Sequence, residues 1–461
     1  MGVITMLRFT LIISICIGVF TTPVRAQSPL TLSEFTDCIG ADGAIHGYGD
    51  TCWLGINAAS GSNGVWDVSN TLVIGRSVEI IGTAGDSTDV ILRRTTSLGS
   101  MPIMFGNGGI TVTIHWLTFD GNRQNTTPCA TSNPTGVDLN LSSVGNVTVQ
   151  DVSFIDAPWD SLYLGGNAST VSYSNFGQGF VRPDRGYSRT GPQTAARWNS
   201  VFLLSDNSGA WVNNIANSGV TAVTVYSGTT EYVVGNIVLR NRYEQPDGVS
   251  GGQIYVIYGG PTYASIANNL INGDYWHTTG KDPSNTDILC YPGGSGLYPF
   301  GVEGFGIGHH YFNNSIIQNL GYGMLLRASD TSGGTLDSNT ISGYDPFCTE
   351  GCTYVPHYID SNAGCWEINQ CFGVGYPASM GVAGLNINNS GGTASNITLD
   401  HVRVSNSGRF GVSIYNVSGG PGFTDSQNGG FNYACIYNNT GGDLITSGSA
   451  AGYMSFTNSC P

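Results

Sequence analysis

VTIHWLTFDGN (112–122) is followed by VTVQDVSFIDA (147–157) and STVSYSNFGQG (169–179). Each copy reads alternating β-formers, one or two polar residues, an apolar residue, then Asn, Asp or Gly. The phrase returns as SGAWVNNIANSG (208–219), YVVGNIVLRN (232–241), YASIANNLINGD (263–274), HHYFNNSIIQNLG (309–321), GTLDSNTISG (334–343) and NITLDHVRVSNSG (396–408). Equivalent anchors are Phe119, Phe154, Phe176, Ile215, Ile237, Leu270, Ile316, Ile341 and Val404, whose shortest steps are 22–25 residues. That is the length of one coil of a β-solenoid, and the longer steps are a coil plus an insertion.

Each coil supplies short strands whose inward side chains stack on the same position one coil away, about 4.8 Å along the axis. Inward Asn ladders satisfy turn backbone groups, which accounts for the pairs at 213–214, 268–269 and 313–314. A solenoid needs closed ends. Residues 27–95 are expected to form the N-terminal cap and first coils, 96–425 the helix proper, and 426–461 the C-terminal cap.

Composition agrees. Charged residues make up 10% of the chain, against 40% hydrophobic and 11% aromatic, and there are 67 glycines. Helix bundles and coiled coils need Ala, Glu, Lys and Leu, whereas short strands and turns suit this chain. A net charge of −15 argues against a nucleic-acid partner. Residues 1–26 read as a secretory signal peptide: an early Arg8, an apolar run from Phe9 to Phe20 too short to span a bilayer, and Ala26 at the cut. A secreted (extracellular or periplasmic) protein without a membrane segment is therefore expected after cleavage. Cys16 leaves with the signal, and the remaining cysteines are even in number, as expected of disulfides in an exported chain. Local pairs of this kind would be Cys38 with Cys52, Cys348 with Cys352, Cys365 with Cys371, and Cys435 with Cys460, though the sequence does not fix the connectivity. A zinc site from the 348–371 cluster with His357 is the rival reading, and no CxxC pair supports it.

LTFDGNR (117–123), NVTVQDVSFIDA (146–157) and LVIGRSVEIIG (72–82) give the chain, over about 70–420, a resemblance to the right-handed parallel β-helix proteins of the pectate-lyase-like superfamily. The resemblance implies an all-β, single-domain right-handed parallel β-helix. It says little about chemistry, because that scaffold carries lyases, hydrolases, esterases, epimerases and non-catalytic adhesins.

The insertions, at about 121–135, 178–199, 242–252, 274–305 and 343–380, follow one point of the coil. Insertions at one repeat position emerge on one face, often the binding face. Together they are expected to wall a groove suited to an extended polymer. Beside that turn stand Asp120 and Asp156, expected to stack one coil apart, with Asp160 further along the same edge. Arg242, Asp247 and Lys281 lie in the insertions, and Arg327 follows the anchor at 316. A glycoside hydrolase would need two carboxyl groups flanking the bond. A polyuronide lyase would need a base and a cation or basic group to neutralise the substrate carboxylate. For the lyase the resemblance implies Arg or Lys as base, with acidic residues holding Ca²⁺. The catalytic candidates are thus Asp156, Asp160, Asp247, Arg242, Lys281 and Arg327, and the sugar-stacking candidates Trp159, Tyr163, Tyr243, Trp276 and His277.

Blander roles compete with each. An Asp in such a turn commonly caps backbone amides, as FDGN at 119–122 suggests for Asp120. Basic residues commonly form surface ion pairs. His309 and His310 are adjacent, so one should point in and one out. Asn285-Thr286-Asp287 resembles a polygalacturonase motif whose downstream partners are missing. The expectation is a secreted protein that cleaves an extracellular polysaccharide by hydrolysis or β-elimination. No cofactor is certain from the sequence, and Ca²⁺ is the candidate in the lyase scheme. The alternative is a non-catalytic carbohydrate-binding or surface protein. The oligomeric state is not legible in the sequence.

Overall fold

The structure is a computed structural model. It describes residues 29–56, 64–82, 86–87, 89–122, 136–177, 199–203, 207–218, 221–240, 252–256, 263–272, 300–305, 309–317, 323–327, 335–342, 383–388, 398–406, 410–415, 435–439, 442 and 444–446. The chain is a right-handed parallel β-helix. Among the described residues, its strands form three all-parallel sheets, here called A, B and C, of eleven, twelve and twelve strands. Each full coil visits A, then B, then C. The coil of Asn146–Gln150, Ser153–Ile155 and Asp160–Leu164 is a compact example. Stacked coils extend from Thr51–Trp53 to Leu444–Thr446, beyond both ends of the sequence resemblance.

The alternation of apolar and polar residues explains the layering. In Asn146–Gln150, Val147 and Val149 are buried while the residues between them are not. Successive coils superpose like on like. Phe119, Phe154 and Phe176 pair in register, with ring centroids 5.2 and 5.0 Å apart in stacked geometry, and the Trp211 ring caps the stack at 6.0 Å. The inward column continues as Ala216, Val238, Ile271, Ile316, Ile341 and Val404. Three sequence anchors therefore need correction. Ile215, Ile237 and Leu270 pair with Asn175 and with one another, one residue before the inward position. Ile215 and Ile237 are exposed. A one-residue slip along a strand exchanges its two faces.

The corner between sheets A and B holds the expected Asn ladder. Asn214, Asn236, Asn269, Asn314 and Asn339 are buried one above another. Asn269 is typical. Its Oδ1 accepts from the backbone N–H and Nδ2 of Asn236 (3.0 and 2.9 Å), and its Nδ2 donates to the carbonyl of Val233 (2.8 Å) and to Oδ1 of Asn314 (2.9 Å). Of each doubled Asn, the second is the rung. The first (Asn213, Asn268, Asn313) takes a left-handed backbone, φ 50–56°, and faces solvent. The rungs Asn236 and Asn339 follow Gly235 and Ser338, so no doubled Asn announces them. The ladder ends on Ser174, whose N–H donates to Asn214 Oδ1 and whose Oγ accepts from the N–H of Val152.

At the N-terminal end the helix Leu32–Ile39 buries Phe35, Cys38 and Ile39 over the first coil. Thr31 and Glu34 close its start as a reciprocal capping box. A Cys38–Cys52 disulfide ties the helix to the first strand of sheet A, as expected. The Arg76 guanidinium bonds the carbonyls of Cys38 and Gly49. Cys435 is also disulfide-bonded. Cys460, the 348–371 cysteines and His357 lie outside the described residues.

An acidic side chain enters the core from sheet A. Glu231 is fully buried, between Gly209 and Ala264 in register, which leave room for it. Burial pushes its carboxyl up to about 8, against a smaller downward pull from the Gly209 backbone.

Candidate functional site: the outer face of sheet C

Every long connection marked in the sequence runs from sheet B to sheet C. The flanking strands end at Asp120, Phe176, Arg240, Asn272 and Ser342 and resume at Val137, Asn199, Gly252, Phe300 and Ala383. All five therefore enter along one edge of sheet C. The fourth is shorter than expected, since Phe300–Phe305 is already a strand of sheet C.

Within sheet C the residues Leu162, Val201, Val223 and Ile254 stack inward, and one position on, Asn140, Tyr163, Phe202, Thr224 and Tyr255 form an outward column. The backbone register of Tyr255 continues through Glu303, Leu325, Asn386 and Ser413. Two ring contacts start from this column and leave it at Tyr226, which follows the strand Thr221–Val225 whose column residue is Thr224. The Tyr163 and Phe202 ring centroids are 5.5 Å apart, and those of Phe202 and the exposed Tyr226 are 5.2 Å apart, both tilted.

The described candidates cluster where this column meets the B–C corner. Asp160 opens a sheet C strand and is buried, and its Oδ2 accepts from the Tyr163 hydroxyl at 2.7 Å. Burial, then the Asp160 charge and hydrogen bond, hold the Tyr163 phenol above its ordinary range. Tyr163 thus stays protonated and acts as a donor. Trp159 is half-buried, and its backbone N–H donates to the carbonyl of Gly136 (3.1 Å). Asp156 is buried in a left-handed turn, φ 49°. It does not stack on Asp120. Asp120 pairs with Ile155, and Gly121 lies against Asp156, where a Cβ would collide with the Asp156 carbonyl. Asp120 follows Phe119 directly, whereas Ile155 separates Asp156 from Phe154, so the two carboxylates fall at different register positions. Asp120 accepts from the N–H of Asn122 at 2.8 Å, the turn-capping role its FDGN setting suggests.

Arg327 falls at the end of a sheet C strand, paired with Phe305 and Asn388. Asp247, Arg242, Lys281, Tyr243, Trp276 and His277 lie outside the described residues. His309 is buried, its Nδ1 accepting from the N–H of Ala264, and His310 is half-exposed, as adjacency requires.

Sequence reasoning missed a buried ion pair beneath this corner. Arg94 and Asp138 are fully buried and 3.2 Å apart. The guanidinium also donates to the carbonyls of Gly99, Met101 and Val137. This set fixes the start of sheet C relative to sheet B. Its only signal is two arginines ending the strand Ile91–Arg94. Arg93 reaches the surface Asp67, and Arg94 faces the other way.

Among the described residues, one group of three potential metal ligands comes together: Asp337, Asp400 and His401. These belong to sheet A and the A–B corner, not to this face. The described residues of the sheet C face supply no cage for Ca²⁺. No helix among the described residues is long and apolar enough to cross a membrane.

No protein family matches the sequence, nor does any curated protein. Solved structures do resemble the fold. The mannuronan C-5 epimerase AlgE4 A-module of Azotobacter vinelandii aligns over 91% of this chain and 94% of its own, with 12% identity and a TM-score of 0.44. The catalytic unit of an α-1,3-glucanase from Streptomyces thermodiastaticus aligns over 92% of this chain and 64% of its own, with 12% identity and a TM-score of 0.41. A mannuronic acid specific family 6 polysaccharide lyase from human gut microbiota aligns over 93% and 85%, with 9% identity and a TM-score of 0.41. At these identities the likeness is one of architecture, and the chain is a parallel β-helix like them.

Proposed function

We propose that the outer face of sheet C binds an extended polysaccharide and that the chain is a secreted, carbohydrate-active β-helix protein. The observation that carries this reading is the row of tilted ring contacts Tyr163–Phe202–Tyr226 along sheet C, the sheet that all five long connections lead into. Ring faces pack against the apolar faces of sugars, and coils repeating along the axis suit a repeating polymer. The acidic chain favours a neutral or weakly acidic glycan over a polyanion.

Cleavage is the finer reading. In hydrolysis, one carboxyl group protonates the leaving oxygen while a second activates water or attacks the sugar. In β-elimination, Arg242, Lys281 or Arg327 would take the proton beside a uronate carboxylate as the bond to the leaving oxygen breaks, giving an unsaturated uronide. Asp247 and a Ca²⁺ ion belong to the same scheme. The burial of Asp156 and Asp160 favours the second reading, non-catalytic binding, because neither is open to a substrate.

A panel of neutral and acidic polysaccharides, incubated with the protein with and without Ca²⁺, separates the three. New reducing ends without ultraviolet absorbance mean hydrolysis. Both signals together mean elimination. Retention of a polysaccharide with neither signal means binding alone. The absence of any retention or cleavage overturns the assignment of this face.

A further inference from the structure

A second site lies at the A–B corner, the one corner that sheet C does not share. A cavity of about 270 Å³ opens there, lined by Ser87, Trp116, Asp151, Ser153, Tyr173 and Asn175. It is not built by chance contact of loops. Trp116, Asp151 and Tyr173 occupy one repeat position in three consecutive coils, and all three are left-handed, at φ 54°, 52° and 51°. A left-handed backbone is a genuine outlier for a bulky residue. The next three coils fill that position with Asn213, Gly235 and Asn268, which suit it. The turn itself therefore does not call for the two aromatics.

What they do is frame a carboxylate. Trp116 and Tyr173 stand on either side of Asp151, two strand spacings apart, roughly 9.6 Å. Tyr173 is 59% exposed, and the His115 ring packs at 5.4 Å from that of Trp116. Gln150 Nε2 donates to Oδ2 of Asp151 at 3.0 Å, fixing the carboxylate. Ser153 and Asn175, in register on the outer side of sheet B, form the floor, and the hydroxyls of Ser87 and Ser153 bond at 3.0 Å at the rim. Among the described residues that line the cavity, none is basic.

We infer that this cavity is a binding site for a single neutral hexopyranose unit, free or terminal on a glycan. The ring's apolar face would stack on Trp116 or Tyr173, and its hydroxyls would meet Asp151, Ser153 and Asn175. The volume is just under the range of about 300–1,000 Å³ for drug-sized ligands, which suits one sugar ring. The Asp151 carboxylate disfavours a uronate, since no described lining residue is a cation to offset it. The site is independent of the sheet C face.

The test uses variants that the fold itself recommends. Asn replaces the aromatic in W116N and Y173N, as Asn already serves at 213, 268 and 313. Binding of methyl glucoside, methyl galactoside, methyl mannoside and the corresponding uronates is followed by saturation-transfer NMR and titration. The expected result is that at least one neutral glycoside binds, that each single variant weakens it about tenfold, and that thermal stability holds or rises. Failure of every neutral glycoside to bind, binding unchanged in the W116N/Y173N double variant, or preference for a uronate would each overturn the assignment.

Discussion

From Asn213 to Ser338 the A–B corner places Asn, Gly or Ser in the left-handed position, and a buried Asn follows each. From Trp116 to Tyr173 the same position holds Trp, Asp and Tyr, followed by the buried Leu117, Val152 and Ser174. One turn is thus built twice. In the first region, side-chain amides saturate the backbone, and the turn residue suits its conformation. In the second, the turn is closed by the apolar Leu117 and Val152 and by the Ser174 hydroxyl, and bulky residues bear a conformation that costs roughly 1–2 kcal/mol each. The difference teaches where sequence serves the fold and where it serves something outside it.

The largest effect should come from cutting the ladder. Asn269→Leu removes the acceptor of two Asn236 donors and the donor to Val233, leaving buried polar groups unsatisfied. Equilibrium denaturation should show a loss of about 3 kcal/mol or more. A loss under about 1 kcal/mol would mean that the ladder contributes little beyond shape.

Glu231 sharpens the same comparison, because it lies in the interior of the ladder half. Its folded carboxyl titrates near 8, above the usual 4.5. The folded state therefore holds a proton that the unfolded state has released between those values, so stability falls as pH rises through that window. Glu231→Gln should melt progressively higher than the parent as pH rises from 5 to 8.5. A constant difference across that range would contradict the raised value.

Smaller effects should come from exchanging the two regions. Tyr173→Asn should gain about 1 kcal/mol and Asn213→Tyr lose about as much, by relief or introduction of left-handed strain. Equal losses from both would show that Tyr173 is held by packing that offsets its backbone.

The repeat made the coil, the insertion corner and the doubled-Asn rungs legible, because each recurs at a fixed offset. The slipped anchors share a physical reason. Ile215-Ala216, Ile237-Val238 and Leu270-Ile271 each offer adjacent apolar residues, so period-two alternation does not say which one enters. The larger side chain draws the eye, while the closely packed interior takes Ala216 and Val238. Arg94 and Asp138 stayed hidden because their partners are far apart in sequence. Trp116, Asp151 and Tyr173 share one repeat position, and the signal was present there. It marks a turn other than the one carrying the insertions.

The most direct measurement compares the two sites side by side: affinity electrophoresis in gels containing a retained polysaccharide, paired with titration of the methyl hexoside. Phe202→Ala lies in the sheet C column, and W116N/Y173N at the A–B corner. Phe202→Ala should abolish most retardation by the polymer, and the corner variant should retain it while losing the hexoside's binding. Retardation of Phe202→Ala equal to that of the parent would contradict the assignment of the sheet C face.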